Sequence, residues 1–378
     1  MKSLETKKFD VAIIGGGIIG SSIAYYLAKE KRKVAIFEAQ QMGGKSTSAA
    51  AGMLGAHSEY KEFMQLYPFA RSSQLLYKEL YEEIKELTTI DFEKKNGGLL
   101  KLAYSEEEKR DLESILSLSS VEWLDCTEAR EKVPQLAADI VGAAYLKEDV
   151  HITPLIACNG LSKGAKLLGA EIYEYTRVLR VEKNGMGYVL KTSQGTFLTD
   201  NVVVASGVWS NYFFQQLGLP HEIIPVKGEC VAALNDGAPL HYSVFHDQFY
   251  IVPRNNNELV IGATKKWNDW TEDPSLDGLQ EVIKKAKRMI PEVGKMKWKR
   301  AWAGLRPQTY DGYPFIGEHP EMKGLYFATG HQRNGILLAP ATGKMIRDLM
   351  IGSPVEKRWV DAFKVERHDF MHREELSN

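Results

Sequence analysis

The chain has 378 residues, 44% of them hydrophobic and 26% charged, the composition of an ordinary globular protein long enough for two or three cores. Lysine plus arginine number 48 against 49 for aspartate plus glutamate, which excludes the basic surplus that phosphate neutralisation needs and argues against a nucleic-acid partner. Three cysteines, Cys126, Cys158 and Cys230, form no even framework and no pair at metal-ligand spacing, so a reducing, cytoplasmic setting is expected.

Residues 9–14 read as a buried strand and 15–20 as a tight glycine turn, followed by a helix over 21–31 and a second strand over 34–38. Residues 11–28 lack charge, but the cluster of Gly15, Gly16, Gly17 and Gly20 and the absence of a cleavage pattern argue against a membrane span or leader. Amphipathic helices are predicted over 71–87 and 106–118, separated by a turn at 96–98 and a strand over 99–104. A helix over 155–168 is opened by Thr153-Pro154 and closed by Gly169. Strands follow over 171–175, 178–183, 188–192 and 197–205, then a β-rich block at 229–234, 242–252 and 258–264. A helix over 278–289 stops at Pro291, and the last elements are a strand over 325–328, a loop over 330–335 and a helix over 336–350. The charged end from Lys364 reads as surface helix or tail. Alternation of dinucleotide-type and β-rich segments predicts an α/β fold with interleaved domains, one of them Rossmann-type.

Gly15-x-Gly17-x-x-Gly20 between a strand and a helix provides the turn, the close backbone approach and the helix N-terminus that a pyrophosphate requires. Glu38, 18 residues after Gly20, ends the next strand, where a carboxylate accepts from ribose hydroxyls and disfavours the 2′-phosphate of NADP. Gly44-Lys45-Ser46-Thr47 resembles the end of a P-loop, but Ala39 stands where that motif needs its first glycine. The run of small residues from Ser46 to Gly52 fits better as backbone and hydroxyls lying against an extended cofactor. Residues 202–207, Val-Val-Val-Ala-Ser-Gly, form a strand ending in small residues that let something bulky cross it. The loop from Gly330 to Ile336 opens a second helix, whose amides make another site for negative charge. Two such helix starts favour a flavin, whose reduced ring carries negative charge that a helix N-terminus stabilises, over a nicotinamide, which needs only the pyrophosphate site. Arg306 lies amid apolar and small residues and can grip a carboxylate, with Tyr250 as a phenolic partner; a structural ion pair and a core tyrosine are the plainer readings. No Gly-x-Ser-x-Gly occurs, and His368 and His372, at i,i+4 in the charged tail, lack the Glu that a metalloprotease motif places between them, so no metal is expected.

Several segments closely resemble the glycine oxidases of thiamine biosynthesis, within the D-amino-acid-oxidase-like FAD enzymes: residues 12–21, 48–57 (Ser-Ala-Ala-Ala-Gly-Met-Leu-Gly-Ala-His), 202–209, 225–230 (Pro-Val-Lys-Gly-Glu-Cys) and 335–343. The resemblance implies a discontinuous FAD-binding domain over 1–90, 146–223 and 308–369, a substrate domain with an antiparallel sheet over 91–145 and 224–307, and a tail over 370–378. By position, FAD would touch Ile18 and Ile19 beside the three glycines, Glu38 and Ala39 at the ribose, Ser46, Thr47, Ala51, Gly52 and Met53 along the pyrophosphate and ring, and Val178 at the adenine. His331, Gln332, Arg333, Asn334, Gly335, Ile336 and Leu337 would surround the polar edge of the flavin. Tyr250 and Arg306 would take the substrate carboxylate, with Arg333 close to both substrate and ring. FAD is expected to be non-covalent, because no cysteine follows Cys230 where sarcosine oxidases attach theirs. Gln248 and Lys265 replace the His and Met of a known relative near the pocket mouth, which could shift the preferred amine.

The implied reaction is oxidation of glycine to glyoxylate and ammonia, with O2 reduced to H2O2, hydride transfer from the α-carbon to flavin N5, and no side chain as acid or base. Sarcosine or small D-amino acids are alternative substrates, and a quinone-linked dehydrogenase or an FAD-binding RNA-modifying or structural protein are alternative classes. A homotetramer and hand-off of the product to a thiazole-forming partner are implied by the resemblance alone.

Overall fold

In this computed structural model residues 7–59 and 66–367 are described. Strand Lys8–Ile14 is buried throughout from Val11 and runs parallel between Val34–Phe37 and Gly195–Val204. The sheet continues through Leu325–Thr329 to Phe315–Glu318 on one side and to Glu171–Tyr173 on the other. A hairpin, Val178–Asn184 with Gly187–Thr192, pairs onto the first half of Gly195–Val204. Parallel strands need both faces covered. Helices Ile18–Lys29, Tyr67–Thr88, Pro154–Leu167 and Gly335–Ile351 bury one face, while the hairpin and helix Ser210–Gln216 pack with the aromatic core on the other. Ile14, Phe37, Val204 and Phe327 stand abreast in register, so the central strands end at a common edge, where ligands of open α/β sheets bind.

The second sheet has nine strands and is antiparallel except where Ser243–His246 meets Leu99–Ala103. Its long strand next to one edge, Ile224–Leu234, pairs with the edge strand Lys297–Gln308 on one side and with Glu258–Gly262 and Lys266–Trp267 on the other. Helix Leu276–Met289 covers the far face. Between Val231↔Ile261 and Lys227↔Lys266, four steps on one strand face five on the other, a one-residue bulge that frees residues 263–265 from the ladder.

Several elements depart from the pattern in the sequence. The amphipathic stretch at 106–118 breaks at Leu112 into Glu106–Asp111 and Glu113–Leu116. The block at 242–252 is two strands folded about Asp247, whose φ is 55°. Helix Tyr67–Thr88 starts four residues early because Pro68 suits a first turn. Strands Val121–Asp125, Gly142–Leu146, Phe315–Glu318 and Lys297–Gln308 carry no clean alternation; the last mixes exposed cations, glycine and proline and is held by its register with Ile224–Leu234. The end of the chain is less free than its charge suggests. Val365 is fully buried and Arg367 Nε donates to Asp311 at 2.7 Å, while the tail at 370–378 and the His368/His372 pair lie outside the described residues.

Candidate active site

A cavity of about 1000 Å³ runs from the glycine turn, between the two sheets, to the strands bearing Tyr250 and Arg306. Gly15 has φ +114°, and a β-carbon there would lie 2.5 Å from the Ala205 carbonyl oxygen, so only glycine lets the turn pass the end of the neighbouring strand. Gly17 caps helix Ile18–Lys29, whose first-turn amides have no carbonyl partners within the helix. Of these, Ile18 N donates to Thr47 Oγ1 at 3.0 Å. Glu38 accepts from Gly16 N at 2.7 Å and Gln40 N at 2.8 Å, one to each oxygen, which orients the carboxylate and leaves further lone pairs for a ligand hydroxyl.

The small-residue run opens as a single turn, Ser46–Ala49, wedged between the sheets. Ser46 Oγ donates to Leu305 O at 2.7 Å and Trp302 Nε1 to Ala49 O at 3.1 Å; a β-carbon on Gly304 would lie 2.4 Å from that of Ala49. Gly52, at φ +80°, presses against Ile152 O, and Arg254 donates to the Ala51 carbonyl beside it. The run is thereby pinned from behind with its other side toward the cavity.

At the far end, Arg306 projects from the edge strand and crosses over Gly228, where a β-carbon would lie 2.3 Å from Nη2. Its Nη1 donates to Thr264 O at 3.0 Å, on the bulge of the opposite neighbouring strand. Burial lowers its pKa, an effect the adjacent Tyr250 opposes, and among the described residues no carboxylate pairs with it. Tyr250 stands across from Gly262, whose missing side chain makes room for the phenol, and lies 3.5 Å from Cys230 Sγ. Desolvation raises the Tyr250 phenol well above its ordinary value and raises the Cys230 thiol as well, so both stay protonated at neutral pH. Arg333 lines the same space with its Nη2 2.6 Å from Glu59 Oε1.

Helix Gly335–Ile351 directs its N-terminus at the cavity. His331, just before it, is buried against Thr342 Oγ1 at 3.0 Å, and desolvation pushes its pKa down to about 3, so the ring is neutral.

The structure brings the sequence-predicted residues to this one cavity, with two exceptions. Gly20 sits behind the turn, where a β-carbon would lie 2.0 Å from Gly15 O, and Leu337 points into the helical core. Gln248 and Lys265 also border the cavity. Gly228, Gly262, Thr264 and Glu59 also border the cavity or its anchor without carrying a site signal in the sequence. A glycine in a strand signals close backbone approach, but only the strand register reveals that Gly228 lies beneath Arg306. One arrangement outside the cavity mimics a hydrolase triad: Ser120 Oγ is 3.1 Å from His57 Nε2, and His57 Nδ1 is 2.7 Å from Asp149. Asp149 also accepts from His57 N, Ser58 N and Gln74 Nε2, and Ser120 does not border the cavity, so this group fastens the turn that carries Glu59.

The chain belongs to the DAO family of FAD dependent oxidoreductases, which it matches over residues 10–349. It is 51% identical to the glycine oxidase of Bacillus subtilis (strain 168), covering 96% of this chain and 98% of that one. The crystal structure of glycine oxidase from Geobacillus kaustophilus superposes with a TM-score of 0.93 at 40% identity, covering 96% of this chain and 100% of the other. The bifunctional protein ThiO/ThiG of Synechocystis sp. (strain ATCC 27184 / PCC 6803 / Kazusa) is 32% identical over 95% of this chain, which spans 54% of that protein. Among the described residues no helix is long and apolar enough to cross a membrane, and no group of three or more His, Cys, Asp or Glu could hold a metal ion.

Proposed function

We propose that this FAD-dependent oxidoreductase oxidises glycine, and also sarcosine and small D-amino acids, to glyoxylate and ammonia or the corresponding amine or keto-acid products, with O2 as electron acceptor. The observation that carries the reading is the desolvated Arg306 guanidinium, free of any carboxylate partner among the described residues and flanked by the protonated Tyr250, at the end of a cavity that begins at a dinucleotide-type glycine turn. A buried cation beside a phenol donor is built for one small carboxylate.

The residues present fit FAD. The Gly15–Gly17 turn and the free amides at the start of helix Ile18–Lys29 suit the pyrophosphate, Glu38 the ribose, and the pinned 51–53 backbone the ring. When bound, FAD supplies the two-electron acceptor that takes hydride from the substrate α-carbon and passes electrons to O2, giving H2O2. The start of helix Gly335–Ile351 offers partial positive charge to the polar edge of the cofactor, and the neutral His331 adds no competing cation. Arg306 and Tyr250 fix the carboxylate so that the α-carbon of a two-carbon amino acid is held at one place, an orientation effect rather than acid–base chemistry. No side chain is assigned as acid or base; solvent takes the ammonium proton, and water hydrolyses the imine product.

Gln248 and Lys265 border the cavity and bear on which amine is preferred, with sarcosine or a small D-amino acid as the second reading. Homotetrameric assembly and delivery of the glycine imine to a thiazole-forming partner belong to the same proposal; the ThiO/ThiG relative, in which the matching stretch is joined to further chain, supports the delivery. The test is FAD-loaded protein with glycine in an oxygen electrode, with peroxide and glyoxylate assayed. The expected result is one peroxide per glyoxylate; no turnover of glycine, sarcosine or D-alanine would contradict the proposal.

A further inference from the structure

Arg306 is an unusual anchor because its own strand does not hold its head. The side chain leaves the edge strand at the position paired with Val226, passes over Gly228, and ends at the Thr264 carbonyl on the opposite flank. That carbonyl is available because the bulge at 263–265 has left the ladder. Something other than sheet pairing must therefore hold Thr264 in place.

The holder is Glu229. The Thr264 hydroxyl accepts from Glu229 N at 3.0 Å and donates to Glu229 Oε2 at 2.9 Å, so its proton and a lone pair are both committed to one residue. The Glu229 carboxylate is fully buried and held in turn by Ser275 N at 2.7 Å and by Lys266 Nζ at 3.0 Å. Lys227 Nζ lies 3.5 Å from it and donates to Thr271 Oγ1 at 2.7 Å. The first turn of helix Leu276–Met289 closes over the carboxylate, for a β-carbon at Gly278 would lie 1.7 Å from Oε2. Burial alone would raise the Glu229 pKa, but the Ser275 amide, Lys266 and Thr264 outweigh it and bring it to about 2, so the clasp is anionic at neutral pH. The Glu229 carboxylate is buried and neither it nor Lys227 or Lys266 lines the cavity; burying such a charge is costly, and what it borders is the carbonyl that accepts from Arg306.

We propose that Thr264, clasped by Glu229, is a positioning residue for substrate binding: it aims the Arg306 guanidinium at the substrate carboxylate. The inference rests on Arg306 being the carboxylate anchor. Because it acts through the carboxylate anchor and touches no reacting atom, its signature falls mainly on KM and on carboxylate affinity, with a smaller change in kcat.

Thr264→Val keeps the volume and the carbonyl but removes the hydroxyl. In FAD-loaded protein it is expected to raise the glycine KM about five- to tenfold, with kcat within about twofold. The Kd of acetate, read from its perturbation of flavin absorbance, should rise by the same factor, and Thr264→Ser should restore both. An unchanged KM and acetate Kd in folded Thr264→Val, or a loss confined to thermal stability, would overturn the proposal. If the valine variant does not fold, Glu229→Gln, which removes the charge of the clasp, is read in the same way. Arg306→Ala is measured alongside. If it leaves the acetate Kd unchanged, the anchor reading itself fails; if it raises the Kd while the Thr264 and Glu229 variants do not, the clasp alone is refuted.

Discussion

Gly228→Ala is a single methyl placed under Arg306, the proposed substrate anchor. Its β-carbon would lie 2.3 Å from Arg306 Nη2, 2.6 Å from Cζ and 2.8 Å from Nη1, whereas carbon and nitrogen atoms rest about 3.5 Å apart. The guanidinium must rise by about 1 Å, and it can, because it is the far end of a flexible side chain. The backbone at Gly228 is ordinary extended strand, so alanine adds no strain of its own. The variant should therefore fold and retain FAD while its anchor is displaced. Loss of one or two charge-assisted hydrogen bonds is worth about 1.5–3 kcal/mol, which converts to a KM increase of roughly 10- to 100-fold. Steady-state oxygen consumption against glycine concentration measures it, with thermal unfolding and the flavin spectrum as controls on the fold. A KM within twofold of the parent, with the spectrum intact, would refute the reasoning.

Glu38→Ala leaves Gly16 N and Gln40 N without their acceptor and removes the proposed ribose ligand, so FAD should be lost on dilution and gel filtration; full retention would count against the ribose assignment. Gly52→Ala drives a β-carbon to 2.1 Å from Ile152 O in a backbone of positive φ, and because that neighbour is itself backbone, the cost should reach about 3 kcal/mol or more. It is checked by soluble yield and melting temperature, and an unchanged melting point would contradict it. His151 and His331 both have pKa values lowered by burial from 6.5 to about 3. The unfolded chain therefore binds protons that the folded one does not, and stability present above pH 6.5 is lost as pH falls toward 3, at about 1.4 kcal/mol per unit for each ring. Melting curves from pH 7 to pH 4.5 should show that decline, and His331→Asn should make it shallower; a flat profile would contradict the assignment.

The gathering of the proposed cofactor residues at one end of the cavity was legible in the sequence because its determinants are local. A glycine turn between an apolar strand and a helix, with Glu38 at the end of the next strand, specifies the start of a parallel sheet within some 30 residues. The substrate end was legible only as residue types. Arg306 and Tyr250 stood out as polar groups in apolar company, but what turns them into a site is long-range: the register that seats Arg306 over Gly228, and the bulge that presents Thr264 O. Strand Lys297–Gln308 shows no alternation because its outer half is exposed and cationic, while its inner half mixes Gly304, which packs on Ala49, with Leu305, Arg306 and Pro307. The buried Val365 was hidden by charged neighbours in sequence, since a single apolar residue makes no periodicity.

The most direct test of the account is to record the absorbance of the purified, FAD-supplemented protein and then add glycine without oxygen. A flavin spectrum that bleaches with glycine and returns when air is admitted is the predicted result. A protein that binds no flavin, or one whose spectrum is unmoved by glycine, sarcosine and D-alanine alike, would contradict it.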